Sequence, residues 1–179
     1  MTTLETLREE IPDYAKDLRL NLGSVLAPGG APGLTDRQIW MVAVATAIAS
    51  RNALFAHRIE ALAHATLDAP ALAAAKAAAA IMGMNNIYYR FAHLTDDTDY
   101  RAMPARLRMN VIASPGIDKA DFELLSLAVS AVNGCGLCLN AHDAVLKKHG
   151  VSREAIQSAV RIGSVIHAVA GVLAYEAAA

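Results

Sequence analysis

Between Ala69 and Met84 the chain reads Ala-Pro-Ala-Leu-Ala-Ala-Ala-Lys-Ala-Ala-Ala-Ala-Ile-Met-Gly-Met, with alanine at nine of sixteen positions. Alanine gives up no side-chain entropy in a helix and is the best helix former, while a pleated sheet gains little from so small a side chain. This stretch therefore has to be helix, and its small faces suit close packing against other helices. The bias runs through the chain: 38 of 179 residues are alanine, and aromatic residues make up only 5%. The expected fold is all-α. A chain of this length suits a single domain over residues 1–179, and a globule of that size buries roughly 70% of its unfolded surface without metal or disulfide staples.

Helix punctuation marks the elements. Leu4, Leu7, Ile11, Tyr14, Leu18 and Leu22 have helical spacing, with a joint at Pro12, so leading helices are expected within 1–33. Pro28 to Gly33 reads as a loop. Thr35-Asp-Arg-Gln38 reads as a capping box ahead of apolar residues to Ala49. Helices are expected over 53–67 and from 71 to about 91, then an irregular stretch over 95–115 interrupted by Pro104 and Pro115. Asp118 caps a helix that ends at Gly134, the next runs from about Cys135 to His149, and Ser152 caps the last.

The two halves resemble copies. At an offset of 85, residues 34–57 fall on 119–142 with identities at Asp36/Asp121, Ala43/Ala128, Val44/Val129, Leu54/Leu139, Ala56/Ala141 and His57/His142. This divides the domain into a degenerate first repeat over about 34–95 and a second over about 116–179. In that register Gln38, Ser50 and Ala53 stand opposite Glu123, Cys135 and Cys138, so only the second half carries thiol chemistry.

Charge and hydropathy exclude several classes. Sixteen Lys and Arg against seventeen Asp and Glu give a formal charge of −1 with no basic block, which argues against a nucleic-acid partner. The polar, acidic start is unlike a signal peptide. The apolar stretches at 39–49 and 69–84 are respectively too short and too alanine-rich to span a bilayer. The expectation is a soluble, cytoplasmic protein with no membrane partner.

The only cysteines are Cys135 and Cys138. A secreted disulfide scaffold would have more, so a pair three apart points to redox or metal chemistry. Cys135 follows the helix-ending Gly134 and opens a helix, where terminal amides and the positive dipole end favour a thiolate. Residues three apart on a helix have Cα atoms roughly 5 Å apart, inside the disulfide window, so the pair can cycle between dithiol and disulfide. His142 lies one turn beyond Cys138 on the same face and is placed to take its proton. Glu123 is the one carboxylate in the apolar part of the preceding helix, and the tight Asn133-Gly134 corner allows it to meet Cys138 or His142.

Rival readings exist for each residue. Zinc could take Cys135, Cys138 and His142, although tetrahedral sites want a fourth ligand and no second CxxC exists; no resident metal is expected. A haem attachment would need histidine where Leu139 stands, and no βαβ pattern supports a thioredoxin. His57, His64, His93, His149 and His167 lack a partner by spacing and read as structural. Met82, Met84, Met103 and Met109 read as core filler.

Glu123, eleven intervening residues, Cys135-x-x-Cys138 and then His142, within Asn133-Gly-Cys-Gly-Leu-Cys-Leu-Asn-Ala-His142, resemble the alkyl hydroperoxide reductase AhpD proteins of the carboxymuconolactone decarboxylase-like superfamily. The resemblance covers essentially the whole chain. It implies an all-α fold with an internal two-fold repeat, a homotrimer, and a peroxidase with no tightly bound cofactor. It also implies re-reduction by the lipoyl group of a dihydrolipoamide acyltransferase, and the AhpC peroxiredoxin as a redox partner. By position, Cys138 would meet the hydroperoxide and pass through a sulfenic acid. Cys135 would resolve it and donate a proton, and Glu123 and His142 would relay the proton of Cys138. Family members often have histidine just before the second cysteine, where this chain has Leu137. Competing functions are a zinc-stabilised helical binding module and a lactone-decarboxylase-like enzyme of the same superfamily; the CxxC weighs against the latter, whose chemistry needs no redox pair.

Overall fold

The computed structural model describes residues 3–178, and among them the regular structure is entirely helical. The order is α1 (Leu4–Glu9), a 3-10 turn (Asp13–Ala15), α2 (Lys16–Leu26), α3 (Asp36–Ala49), α4 (Ala53–Ala63) and α5 (Ala69–Leu94). Then come two one-turn helices, α6 (Asp99–Ala102) and α7 (Asn110–Ala113), followed by α8 (Lys119–Val132), α9 (Gly136–Lys148) and α10 (Arg153–Glu176). The all-α expectation holds. The joint at Pro12 is real, since the 3-10 turn there separates α1 from α2.

Two helices form the centre. Met41–Ala47 of α3 and Phe122–Ser130 of α8 are buried without a break. A helix covered on every side must be enclosed by others, and α3 packs on α4, α5, α8 and α10 while α8 packs on α3, α5, α9 and α10. The alanine-rich helix α5 supplies one wall. Its Ala71, Ala74, Ala75 and Ala78 share a face at helical spacing and are buried to the backbone. It starts at Ala69 rather than Ala71, because Asp68 caps the Ala71 N–H and Pro70 fits the first turn. At α10, an added Cβ on Gly163 would stand 3.2 Å from Thr46 Cγ2, so the absent side chain lets α10 lie close on α3. Helix α10 is also long and apolar enough to cross a membrane by length and composition, a stretch the sequence reading passed over. Half of that window is buried in the core against α2, α3 and α8.

The repeat is legible in the helix order, but its register at the cysteine corner is not the one that identities suggest. The N-caps Thr35 and Asp118 of α3 and α8 stand 83 residues apart, as do the N-caps Asn52 and Cys135 of α4 and α9. The residue before each second cap takes the left-handed conformation: Arg51 at φ 62° and Gly134 at φ 68°. The C-caps His64 and His149 are 85 apart only because α9 is two residues longer than α4. Backbone geometry therefore sets Trp40, Asn52, Phe55 and Ile59 against Glu123, Cys135, Cys138 and His142, and corrects the pairing with Gln38, Ser50 and Ala53. Accidental identities are frequent in alanine-rich sequence, whereas caps are imposed by the backbone. In either register the first half has no thiol.

Candidate active site

The site is built at the corner between α8 and α9. Helix α8 ends with the Cys135 N–H bonded to the Ser130 carbonyl at 3.0 Å and the Gly134 N–H to the Ala131 carbonyl at 3.2 Å. This is the Schellman pattern, and it requires the left-handed residue that glycine adopts without Cβ strain. Cys135 then serves as N-cap of α9, with extended backbone and Sγ accepting from the Cys138 N–H at 3.3 Å. The expected helix start at Cys135 falls one residue later: Cys135 is the N-cap and the helix begins at Gly136.

Cys135 and Cys138 are joined as a disulfide with Cα atoms 5.3 Å apart, close to the separation expected from helical spacing. Cys135 is fully buried, whereas Cys138 is 6% exposed. One turn further, the His142 Nδ1–H donates to Glu123 Oε2 at 2.7 Å. The two helices fold back on each other across the corner, so the contact that spacing left open is made. Both partners are largely covered, with side-chain exposures of 14% for His142 and 7% for Glu123. An ionised carboxylate accepts only, so this pairing puts a ring proton on Nδ1 and turns Nε2 away from Glu123.

Cys138 and His142 line a common cavity of about 310 Å³. Its other walls are Met82 and Tyr89 of α5 and Met109 and Ile112 from the connection ahead of α8, with Leu137 also on the lining. Of the methionines read as core filler, Met82 is buried in the core and also lines the cavity, Met109 lines it too, and Met103 is 59% exposed. A larger cavity, about 540 Å³, lies where Arg58 of α4 and Glu10 meet the end of α10 and contains no cysteine.

Helix α5 also braces the corner through residues that sequence reasoning missed. Asn86 Nδ2 donates to Ser130 Oγ and Asn133 Nδ2 donates to Asn86 Oδ1, both at 2.9 Å, while Arg90 Nη1 donates to the Asn133 carbonyl at 2.8 Å. A buried polar network is rigid when every member is satisfied. The available signal was the spacing of Met82, Asn85, Asn86 and Tyr89, which places two amides on one helical face among apolar residues. Among the described residues, no three His, Cys, Asp or Glu side chains are grouped so as to hold a metal ion.

The carboxymuconolactone decarboxylase family matches residues 98–179, which include the whole cysteine corner. The alkyl hydroperoxide reductase AhpD of Hyphomonas neptunium is 57% identical over 176 residues, 98% of this chain and 96% of the relative. The AhpD of Rhodospirillum centenum is 57% identical over 98% of this chain and 93% of its own, and that of Brucella suis is 55% identical over 98% of both.

Proposed function

Because this chain belongs to the alkyl hydroperoxide reductase AhpD family, we propose that it reduces alkyl hydroperoxides through the Cys135–Cys138 dithiol. The observation that carries the reading is the pairing of Glu123 with His142 beside a cavity that Cys138 also lines. An unassisted thiol is only a few per cent thiolate at neutral pH, and only the thiolate attacks. His142 Nε2 takes the Cys138 proton, and Glu123 holds the ring in the needed tautomer and stabilises the imidazolium, as a carboxylate does in hydrolase triads.

The Cys138 thiolate attacks the terminal oxygen of the hydroperoxide. The O–O bond breaks, and the departing alkoxide takes the proton from His142 and leaves as alcohol. Cys138 becomes a sulfenic acid, which the Cys135 thiol attacks to give water and the disulfide. Re-reduction runs through the same sulfur. An external dithiol reaches Cys138, on the cavity, and Cys135 departs as a thiolate at the N-terminus of α9, where the Cys138 N–H already points at its sulfur. The donor's second thiol then closes the donor's own disulfide and frees Cys138.

The dithiol we assign as donor is the dihydrolipoyl group of a dihydrolipoamide acyltransferase, and the AhpC peroxiredoxin is the protein to which the reduced pair passes electrons. Assembly as a homotrimer in the cytoplasm is part of the same reading. Large apolar side chains at the end of α5 and in the following segment, including Ile87, Phe91, Leu94 and Met103, are at least half exposed and suit a subunit contact.

The test is peroxide consumption by purified protein with dihydrolipoamide and cumene hydroperoxide, combined with dimedone trapping of sulfenic acid. Cys135→Ser should accumulate a dimedone adduct on Cys138, and Cys138→Ser should show no turnover and no adduct. Wild-type protein that consumes no hydroperoxide, or an adduct that forms on Cys135 instead, refutes the reading.

A further inference from the structure

In a cavity wall that is otherwise apolar apart from the Tyr89 hydroxyl, which meets Met109 Sδ at 4.0 Å, Asn85 supplies an amide. It lies on α5 between Met82 and Tyr89, lines the cavity shared by Cys138 and His142, and is only 4% exposed. Its Oδ1 is buried with no hydrogen-bond partner among the described residues. The neighbouring Asn86 is the opposite case, since its amide is tied at both ends to Ser130 and Asn133. A buried amide without a partner destabilises the fold, and an apolar residue of similar volume would relieve that. Asn85 Nδ2 has no hydrogen-bond partner among the described residues either, so turning the amide to aim Nδ2 at a bound molecule would break no existing bond.

We propose that Asn85 binds the peroxide group itself, its Nδ2–H donating to the alkyl-bearing oxygen that leaves as Cys138 attacks. The inference rests on the peroxidase reading above and adds a second polar contact to the reacting atoms. In the attack the S–O bond forms at the terminal oxygen, the O–O bond breaks, and negative charge grows on the oxygen that carries the alkyl group. That oxygen ends with the proton held by His142. Before the proton arrives, an amide donor beside that oxygen, in a cavity lined mainly by apolar side chains, stabilises the developing charge. Met82, Met109 and Ile112 offer only apolar contact to the alkyl group, so Asn85 sets the direction in which the peroxide lies and His142 handles the proton.

The test is single-turnover oxidation of the reduced enzyme, measured by quench and alkylation of the remaining thiols, with two oxidants of different leaving group. The oxidants are tert-butyl hydroperoxide, which expels an alkoxide, and peracetic acid, which expels the far weaker base acetate. The variants are Asn85→Leu, which keeps the volume, Asn85→Ala, and Asn85→Gln, which keeps the amide. Loss of the donor should slow tert-butyl hydroperoxide by about 10²-fold, the scale of one oxyanion-stabilising hydrogen bond. Peracetic acid should slow by less than about tenfold, because its leaving oxygen needs little help. Asn85→Gln should recover part of the loss. A merely structural amide predicts equal losses for both oxidants, and that result, or no loss in Asn85→Leu, overturns the proposal. Wild-type enzyme inert to both oxidants would refute the peroxidase reading and this inference together; normal wild-type turnover with unselective Asn85 variants refutes this inference alone.

Discussion

Cutting the Glu123–His142 pair from its two ends should give the same kinetic defect and different stabilities. Glu123→Gln removes the charge but leaves an amide oxygen that still accepts from the His142 Nδ1–H, so the loss is a charge-assisted bond exchanged for a neutral one, about 1 kcal/mol. His142→Phe instead leaves the carboxylate orphaned. Glu123 is 6% exposed, and His142 is its one side-chain hydrogen-bond partner among the described residues. Stranding a buried charge in this way typically costs about 3–5 kcal/mol. Urea unfolding of the oxidised proteins, in which the thiols take no part, measures the two values. In peroxide turnover each variant should fall by about 10²-fold, the usual contribution of a general base. The double variant should be scarcely slower than the poorer single one, because parts of one relay are not additive. Raising the pH should recover activity in both, since an unassisted thiol ionises near pH 8.5. A defect that ignores pH, or single losses that multiply, would show that the pair shapes the corner without moving protons; equal stabilities would show that Glu123 is better solvated than its burial implies.

His57 lines a separate cavity with Glu60 and Lys76, so His57→Gln should leave peroxide turnover within about twofold of wild type; a loss as deep as that of His142→Phe would make the first half part of the machinery. Arg58 on α4 donates to both carboxylate oxygens of Glu10, and that hydrogen bonding holds the Glu10 carboxyl below its usual 4.5. A depressed carboxyl stabilises the fold above its unfolded value and loses that contribution as pH falls through its folded value. Arg58→Met should therefore lower stability at pH 7 by under about 1 kcal/mol, since the pair is partly exposed, with the difference from wild type closing below pH 4.5; thermal melts at several pH values read this, and a gap that persists in acid contradicts it. Under reducing conditions Cys135→Ser should be more stable than Cys135→Ala by about 1 kcal/mol, because serine still caps α9 and alanine cannot; urea midpoints that coincide would mean that the cap bond at Cys135 carries no stability.

What could be read from the sequence were relations along one helix. Cys135, Cys138 and His142 stand at three- and four-residue spacings, and helical geometry converts those spacings into distances without knowledge of anything else. Glu123 stood out because a lone carboxylate in a nine-residue buried run needs a partner. Its meeting with His142 depended on how sharply the chain turns, and that is decided by two backbone hydrogen bonds at Gly134. Relations between helices were harder. Met82 comes from α5 and Met109 and Ile112 from the segment before α8, and they become one cavity only when both close over α9. The repeat register slipped by two residues for a related reason, since side-chain identity is cheap among alanines while the cap positions that define register show little identity.

Those cap positions also show how little the backbone of the redox corner differs from that of its counterpart in the first half. At Asn52 the backbone sits at φ −99°, ψ 97°, and the side chain accepts from the N–H of Phe55 at 3.1 Å. At Cys135 it sits at φ −96°, ψ 92°, and Sγ accepts from the N–H of Cys138 at 3.3 Å. An N-cap side chain turns back over the first helical turn toward the third residue of the helix. That residue is also the one whose own side chain lies nearest, so the geometry of capping is already that of a short disulfide. Placing sulfur at both positions then needs no new fold. Asparagine is the better cap in the half that only has to be stable. Cysteine gives up part of that capping strength in the half that reacts, and the kind of helix end that holds an amide at Asn52 stabilises, at Cys135, the thiolate released when the disulfide opens.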